Sequence, residues 1–334
     1  MPPFWEGRRV FMTGATGFIG RYLAEALVRH GAQVSALARP RADTAFLRSL
    51  GVRVVPGDVT DPSTILLGDA QMVVHGAAWV GFGLTAKKNK VMWRTNVEGT
   101  RNVLLSAADA KVRRFVHVSS VAAVGSTPAG LYAEDRLDPA VRLPYFLSEY
   151  ERTKWAAQRL VDEADGLKTT SVLPGVVLGL GGGFEPLMRM FLSGRLARVP
   201  VGDAPTGVVH VRDVVAGIVA AAEVGDGPYL LVDENLTLWE TIELFAKASG
   251  RPPPVKTMSW AWLKAVIWPM EAAYHLAGKT PPLSKELYRS AMVPKTYDAA
   301  RARKELGWTP DALGALAADF EALAEARRPA AAGD

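Results

Sequence analysis

Thr13-Gly14-Ala15-Thr16-Gly17-Phe18-Ile19-Gly20 follows the short run Arg9-Val10-Phe11-Met12 and precedes a stretch with Leu23, Ala26 and Leu27 at helical spacing. Glycines at 14, 17 and 20 let a chain leave a strand, turn tightly and seat a helix close to the sheet. The helix start then presents bare backbone N–H groups and a positive potential to an anion. Working outward, strand-like runs at 33–37, 52–55, 72–75, 115–118 and 169–173 alternate with helical stretches near 22–30, 44–50, 97–108 and 150–164. That alternation requires right-handed crossovers, so the expected fold is α/β, a doubly wound parallel sheet covered on both faces.

After Pro174 the pattern loosens into a Gly-rich stretch at 178–183, a helix near 185–192, a strand and helix over 208–222, a strand near 229–232, and helices from 236 onward. The expected organisation is a dinucleotide-binding Rossmann domain over 1–175 whose sheet also receives 208–235. A smaller, mainly helical C-terminal substrate lobe is assembled from 176–207 and 236–324, and 325–334 forms a flexible tail. The crevice between sheet and lobe is the default ligand site.

Composition narrows the chemistry. The chain has 334 residues, 49% of them hydrophobic and 22% charged, which suits a globular protein and excludes disorder over most of its length. Zero cysteines remove disulfides, thiolate nucleophiles and Cys-ligated metals, and no metal site is expected. The net charge of +5 and pI of about 9.4 invite an anionic partner, yet the cations are scattered. The densest groups, Lys87-Lys88-Asn89-Lys90 and Arg301/Arg303/Lys304, are short and lack interleaved aromatics, so they read as solvated faces and no nucleic acid partner is expected. No stretch reads as a transmembrane segment, and a soluble cytoplasmic protein is expected.

The second strand run ends Ala36-Leu37-Ala38-Arg39 without a carboxylate at its tip. An acid there would receive ribose hydroxyls and repel a 2′-phosphate, whereas the planar fork of Arg39 pairs with one. NADP(H) is therefore favoured over NAD(H), with Arg41 or a merely solvated Arg39 as the alternatives. Gly57-Asp58-Val59 after the third strand run places Asp58 to accept from an adenine amino group or, equally, to cap a helix near Pro62-Ser63.

Tyr150 and Lys154 stand four apart, hence on one helix face, and a nearby ammonium is expected to lower the phenol toward working pH as a general acid or base. Ser119-Ser120 ends an earlier strand on the edge of the sheet where ligands gather, so a hydroxyl there can hold a carbonyl oxygen.

With these residues in view the chain resembles an extended short-chain dehydrogenase/reductase, the family of nucleotide-sugar epimerases and dehydratases, 3β-hydroxysteroid dehydrogenases and dihydroflavonol reductases. The likeness covers nearly the whole chain. It rests on the glycine turn, Asp58-Val59, His75-Gly76-Ala77-Ala78, Asn96-Val97-Glu98-Gly99-Thr100, Val118-Ser119-Ser120, Tyr150/Lys154, Pro174-Gly175, His210-Val211-Arg212-Asp213 and Arg303-Lys304-Glu305-Leu306-Gly307-Trp308. The resemblance implies that Ser120 rather than Ser119 is catalytic with Tyr150 and Lys154, and that Lys154 also bonds the nicotinamide ribose. It implies cofactor contacts from Thr13, Gly14, Thr16, Gly17, Phe18, Ile19, Gly20, Arg39, Asp58, Val59, Ala77, Ala78, Asn96, Pro174, Val176 and Val177. Asn96 equally suits a helix cap, and His75 reads as a buried strand-end histidine outside catalysis.

Departures from the family pattern select a branch. Val121-Ala122 follow Ser120 where dehydratases carry an acidic pair, Pro205-Thr206-Gly207 precede the His210 segment where epimerases usually show Arg-Asp-aromatic, and Leu173 precedes Pro174 where Arg is common. An anionic diphosphate substrate is poorly provided for. Trp79 and Phe82, with the Trp-rich 258–270 stretch that includes Trp260, suggest an apolar pocket, though that stretch equally suits lobe core or a peripheral membrane contact. The expectation is an NADP(H)-dependent oxidoreductase interconverting a ketone or aldehyde and an alcohol on a bulky, apolar small molecule. A sugar-nucleotide epimerase and a non-enzymatic NADP-binding sensor are the alternatives. The resemblance further implies a homodimer pairing the Tyr150 helix with its neighbour near 97–108.

Overall fold

A computed structural model describes residues 3–125, 146–254 and 256–326. The first half runs β1 (Arg9–Thr13), α1 (Phe18–Arg29), β2 (Gln33–Ala38), α2 (Ala45–Ser49), β3 (Arg53–Pro56), β4 (Met72–His75), α3 (Ala86–Trp93), α4 (Gly99–Asp109), β5 (Arg114–Val118), α5 (Glu149–Asp162) and β6 (Thr169–Pro174). Then come β7 (Val176–Leu178), α6 (Glu185–Leu192), β8 (Val199–Val201), β9 (Thr206–His210), α7 (Val211–Val224), β10 (Pro228–Leu231) and β11 (Glu234–Leu236). The chain closes with α8 (Leu238–Ser249), β12 (Thr257–Ser259), α9 (Trp260–Leu276), α10 (Lys285–Ala291), α11 (Ala300–Leu306) and α12 (Ala312–Glu325).

Seven parallel strands form the main sheet in the order β10-β6-β5-β4-β1-β2-β3. The chain grows outward from β1 to β3, then crosses to β4 on the other side, so the topological switch lies between β1 and β4 and opens a crevice at their carboxyl ends. Apolar residues fill both faces, as a parallel sheet between helices demands. One core layer gathers Leu23, Leu27, Ile218 and Trp308 with the inner residues of β1 and β4, and the other gathers Val103, Ala107, Phe115 and Val161. The lobe has its own core around Phe191, Phe245 and Phe320, whose rings meet edge to face.

Three expectations change. Of 208–235, only Pro228–Leu231 joins the main sheet; β9 and β11 instead build a separate three-stranded sheet with β7. Both routes bury apolar strands, and only tertiary register separates them. Second, α12 continues through Glu325, while 327–334 lie outside the described residues. Third, Lys87-Lys88-Asn89-Lys90 lies on α3, a helix whose weak apolar periodicity hid it, and it runs straight into a π-helical turn at Arg94–Glu98 before α4. The cations near the C-terminus are also more than a solvated face: Arg301 donates to Asp226 O at 3.0 Å and Arg303 to Asp233 O at 3.1 Å, latching α11 to the chain around β10.

Candidate active site

The glycine turn lies at the β1–β4 switch. Gly14 has φ +76°, and a Cβ there would stand 2.5 Å from the Gly76 carbonyl carbon; one at Gly20 would stand 2.1 Å from Gly14 O. Only bare backbone lets the two strand exits and the helix approach this closely. Gly17 is the N-cap of α1 with no side chain bonded to the first-turn amides, which leaves them available to a phosphate. The Gly-rich segment after β7 covers this turn: Tyr22 donates to Leu180 O at 3.0 Å, and Gly182 packs on the Phe18 ring. Leu180 N–H in turn donates to Asp319 Oδ2 at 3.1 Å, and the same oxygen pairs with His210 Nε2 at 3.1 Å. Asp319 was invisible to sequence reasoning because it approaches the turn only through α12.

Thr13 Oγ1 accepts from Ala77 N–H at 3.2 Å, so its proton goes to His75 Nδ1 at 2.7 Å. His75 Nε2 then donates to Thr100 Oγ1 at 2.9 Å, and that hydroxyl donates to Asn96 O at 2.7 Å. Burial, with Lys154 nearby, holds the imidazole pKa down at about 3, so this chain of bonds is neutral and fully satisfied. His75 is therefore structural, and Thr13 serves the site by fixing the segment that carries Ala77 and Ala78.

Arg39 is exposed directly beyond β2; its carbonyl accepts from Ala42 N–H at 2.8 Å, and its guanidinium has no hydrogen bond or ion pair among the described residues. Asp58 does not cap the short helix Pro62–Thr64; Asp61 does, accepting from Ser63 N–H at 3.1 Å. Asp58 Oδ1 accepts instead from the amide and hydroxyl of Thr60, both at 2.9 Å, holding the loop beyond β3. Val59 is buried against Gly99.

Ser148 caps α5, accepting from Glu151 N–H at 3.2 Å, and this places Tyr150 in the first turn and Lys154 one turn deeper. Ser120, extended at φ −168° just after β5, accepts from Ala122 N–H at 3.1 Å and is hydrogen bonded to the Tyr150 phenol. Ser119 is buried on the other side of the strand, so of the two serines only Ser120 meets Tyr150. Lys154, also buried, donates to Val118 O at 3.1 Å.

The electrostatics differ from the sequence expectation. Burial pushes the Tyr150 phenol up to about 12, partly offset by its bond to Ser120, and burial lowers the Lys154 ammonium to about 8. Desolvation penalises both charged forms, and the ammonium is aimed at a carbonyl rather than at the phenol. Tyr150 is thus held protonated.

Phe82 meets Tyr150 edge on, with ring centroids 5.8 Å apart. Asn96 is buried in the π-helical turn and is no cap: its Oδ1 accepts from Trp79 N–H at 2.7 Å and its Nδ2 donates to Trp79 O at 3.0 Å and Thr153 Oγ1 at 2.9 Å. It clamps the segment carrying Trp79 and Phe82 to the Tyr150 helix. The lobe reaches this segment through Gly83, whose N–H donates to Glu286 at 2.6 Å and whose carbonyl accepts from His275 Nε2 at 2.9 Å. His275 and Glu286 were missed because nothing local in sequence links them to Gly83. Trp260, expected in the pocket, is only 8% exposed and packs on Tyr288 within the lobe. Pro174 ends β6, and Val176 and Val177 continue half-buried into β7.

The donor set fits a dinucleotide: a bare helix terminus for the pyrophosphate, a free guanidinium beyond β2, and a buried ammonium beside a phenol and a hydroxyl at the same sheet edge. These features define a Rossmann-type NAD(P)-dependent oxidoreductase acting between CH–OH and C=O. The NAD dependent epimerase/dehydratase family model matches residues 10–229, and the chain belongs to that family. It is 30% identical to sterol demethylase protein B of Methylococcus capsulatus, over 92% of this chain and 95% of that one. It is 29% identical to a putative dihydroflavonol 4-reductase of Synechocystis sp., over 92% of each. Among solved structures, gox2253 superposes with a TM-score of 0.77 at 27% identity, covering 96% of this chain and 99% of that one. Among the described residues, no helix is long and apolar enough to cross a membrane.

Proposed function

We propose that this protein is an NADP(H)-dependent reductase of a ketone on a bulky, apolar small molecule, with Tyr150 as general acid. The observation that carries the reading is the phenol of Tyr150, held protonated, bonded to Ser120 and faced by the Phe82 ring. A proton donor beside an apolar wall suits a carbonyl whose remainder is apolar. The bound cofactor supplies the hydride to the carbonyl carbon. Ser120 and Tyr150 hold the carbonyl oxygen, Tyr150 passes its proton to that oxygen as negative charge develops, and the Lys154 ammonium offsets the phenolate left behind.

Arg39 supports the 2′-phosphate assignment, with the first-turn amides of α1 cradling the pyrophosphate and Lys154 reaching the nicotinamide ribose. Asp58 would hold the adenine, and Asn96 acts by positioning Trp79. Val121-Ala122 after Ser120 leave no acid and base for dehydration. A relative 30% identical over 90% of this chain is a 4-hydroxy-2-methyl-3-oxo-4-farnesyl-3,4-dihydroquinoline-1-oxide ketoreductase of Stigmatella aurantiaca, which supports a large apolar substrate. Leu105, 58% exposed on α4, supports a homodimer through α4 and α5, testable by sedimentation.

The deciding experiment follows absorbance at the nicotinamide band across hydrophobic ketones, aldehydes and one UDP-sugar. NADPH consumption with the ketones is expected. Turnover of the UDP-sugar with no net cofactor consumption would replace this reading with epimerisation, and cofactor binding with no turnover would make the protein a sensor.

A further inference from the structure

α9 is an inverted helix. Its buried stripe holds Trp260, Ile267 and Glu271, and its polar side chains Lys264, Glu271 and His275 all cluster on or beside that stripe. The opposite arc, about 140° wide at 100° per residue, carries Trp262, Val266, Pro269, Leu276 and the alanines between them, and no polar side chain. Trp262 is 61% and Leu276 92% exposed. A surface helix ordinarily turns its charges outward, so an outward apolar arc of this width marks a docking face.

The rim of that face is cationic. Lys256 and Lys279 flank α9, and its one carboxylate, Glu271, is buried and accepts from Lys285 N–H at 3.1 Å. Lys88 of α3 donates to Thr280 at 2.6 Å, bringing Lys87 and Lys90 alongside, with no acid anywhere from 79 to 97. A second copy docking here would set like charges against like, whereas an anionic surface complements the rim. Tryptophan beside lysine also suits the boundary between headgroups and acyl chains.

We propose that α9 docks this protein on an anionic phospholipid surface, with Trp262 and Leu276 entering the acyl boundary and the lysines of α3 and those flanking α9 meeting headgroups. Gly83, bonded to His275 of α9 and Glu286 of α10, adjoins Phe82, so the helix that carries the docking face is tied through its opposite side to the segment that lines the site. Delivery of an apolar ketone from the bilayer rests on the function proposed above; the docking itself does not.

The test sediments the purified protein, without substrate, with vesicles of phosphatidylglycerol and phosphatidylcholine in equal amounts and with phosphatidylcholine alone. Pelleting with the anionic vesicles, release by salt and a blue shift of tryptophan emission are expected. Lys87→Gln and Lys90→Gln should each weaken binding about fivefold. The pair Trp262→Glu and Leu276→Glu should abolish pelleting and leave reduction of a water-soluble ketone unchanged. No pelleting, equal pelleting with neutral vesicles, or a dimer in sedimentation velocity that the double variant dissolves would each overturn the docking. A failed ketone assay with pelleting intact would instead overturn the proposed reaction.

Discussion

The Lys154 ammonium donates to the carbonyl of Val118 at 3.1 Å, two residues before Ser120. One strand end therefore fixes both the Ser120 hydroxyl and the Lys154 ammonium, and α5 cannot slide without breaking the bond. Removing the phenolic hydroxyl isolates its role. Tyr150→Phe keeps the ring against Phe82 and should lower turnover at least 10²-fold, about what a positioned acid contributes, with NADPH affinity nearly intact by equilibrium titration. Full activity in that variant would overturn the mechanism.

The pH profile follows from the two shifts. Tyr150 stays protonated up to about 12, so the acid form is present throughout the neutral range. Lys154 carries its charge below about 8 and loses it as pH rises through that value. Reduction, read as kcat/KM, should be level at neutral pH and fall as pH rises through about 8. A rate that holds constant well above that value would remove Lys154 from the mechanism.

A buried cation placed for chemistry should weaken the fold. Lys154 titrates at about 8 when folded, below the 10.5 of an ordinary lysine, so between those values the unfolded chain binds more protons and stability rises with pH. At neutral pH the penalty is fully present. Lys154→Met should raise the melting temperature of the cofactor-free protein by about 2 °C or more while turnover collapses. A lower melting temperature would show that the bond to Val118 outweighs desolvation.

The proposed 2′-phosphate contact of Arg39 is tested by its loss. Arg39→Ala should raise the KM for NADPH roughly tenfold or more, the worth of a lost charge-assisted bond, and leave that for NADH nearly unchanged. Michaelis constants for both cofactors are the measurement, and a parent enzyme that prefers NADH sinks the assignment.

Asn96 distinguishes positioning from direct contact. Asn96→Ala removes three hydrogen bonds to Trp79 and Thr153 and should lower kcat/KM for a bulky ketone about tenfold, with NADPH affinity retained. Loss of NADPH affinity instead would mean that the amide holds the cofactor itself.

Local chemistry made much of this legible. The glycines at 14, 17 and 20, the alternation of strand and helix through residue 174, and the Tyr150/Lys154 spacing are short-range signals, each set by backbone sterics or helical period. From them alone came the parallel sheet, the anion site at α1 and the Tyr150/Lys154 pair, while the choice of Ser120 over Ser119 came from the family resemblance. Tertiary structure decided what depends on which surfaces meet. Register sent β9 and β11 to a second sheet, and the rotation of α9 buried Trp260 and exposed Trp262. Folding brought Gly83 to His275 and Glu286, and the Gly-rich segment to Asp319. Desolvation, which no sequence spacing encodes, moved Tyr150 away from phenolate where the adjacent lysine alone predicted the reverse.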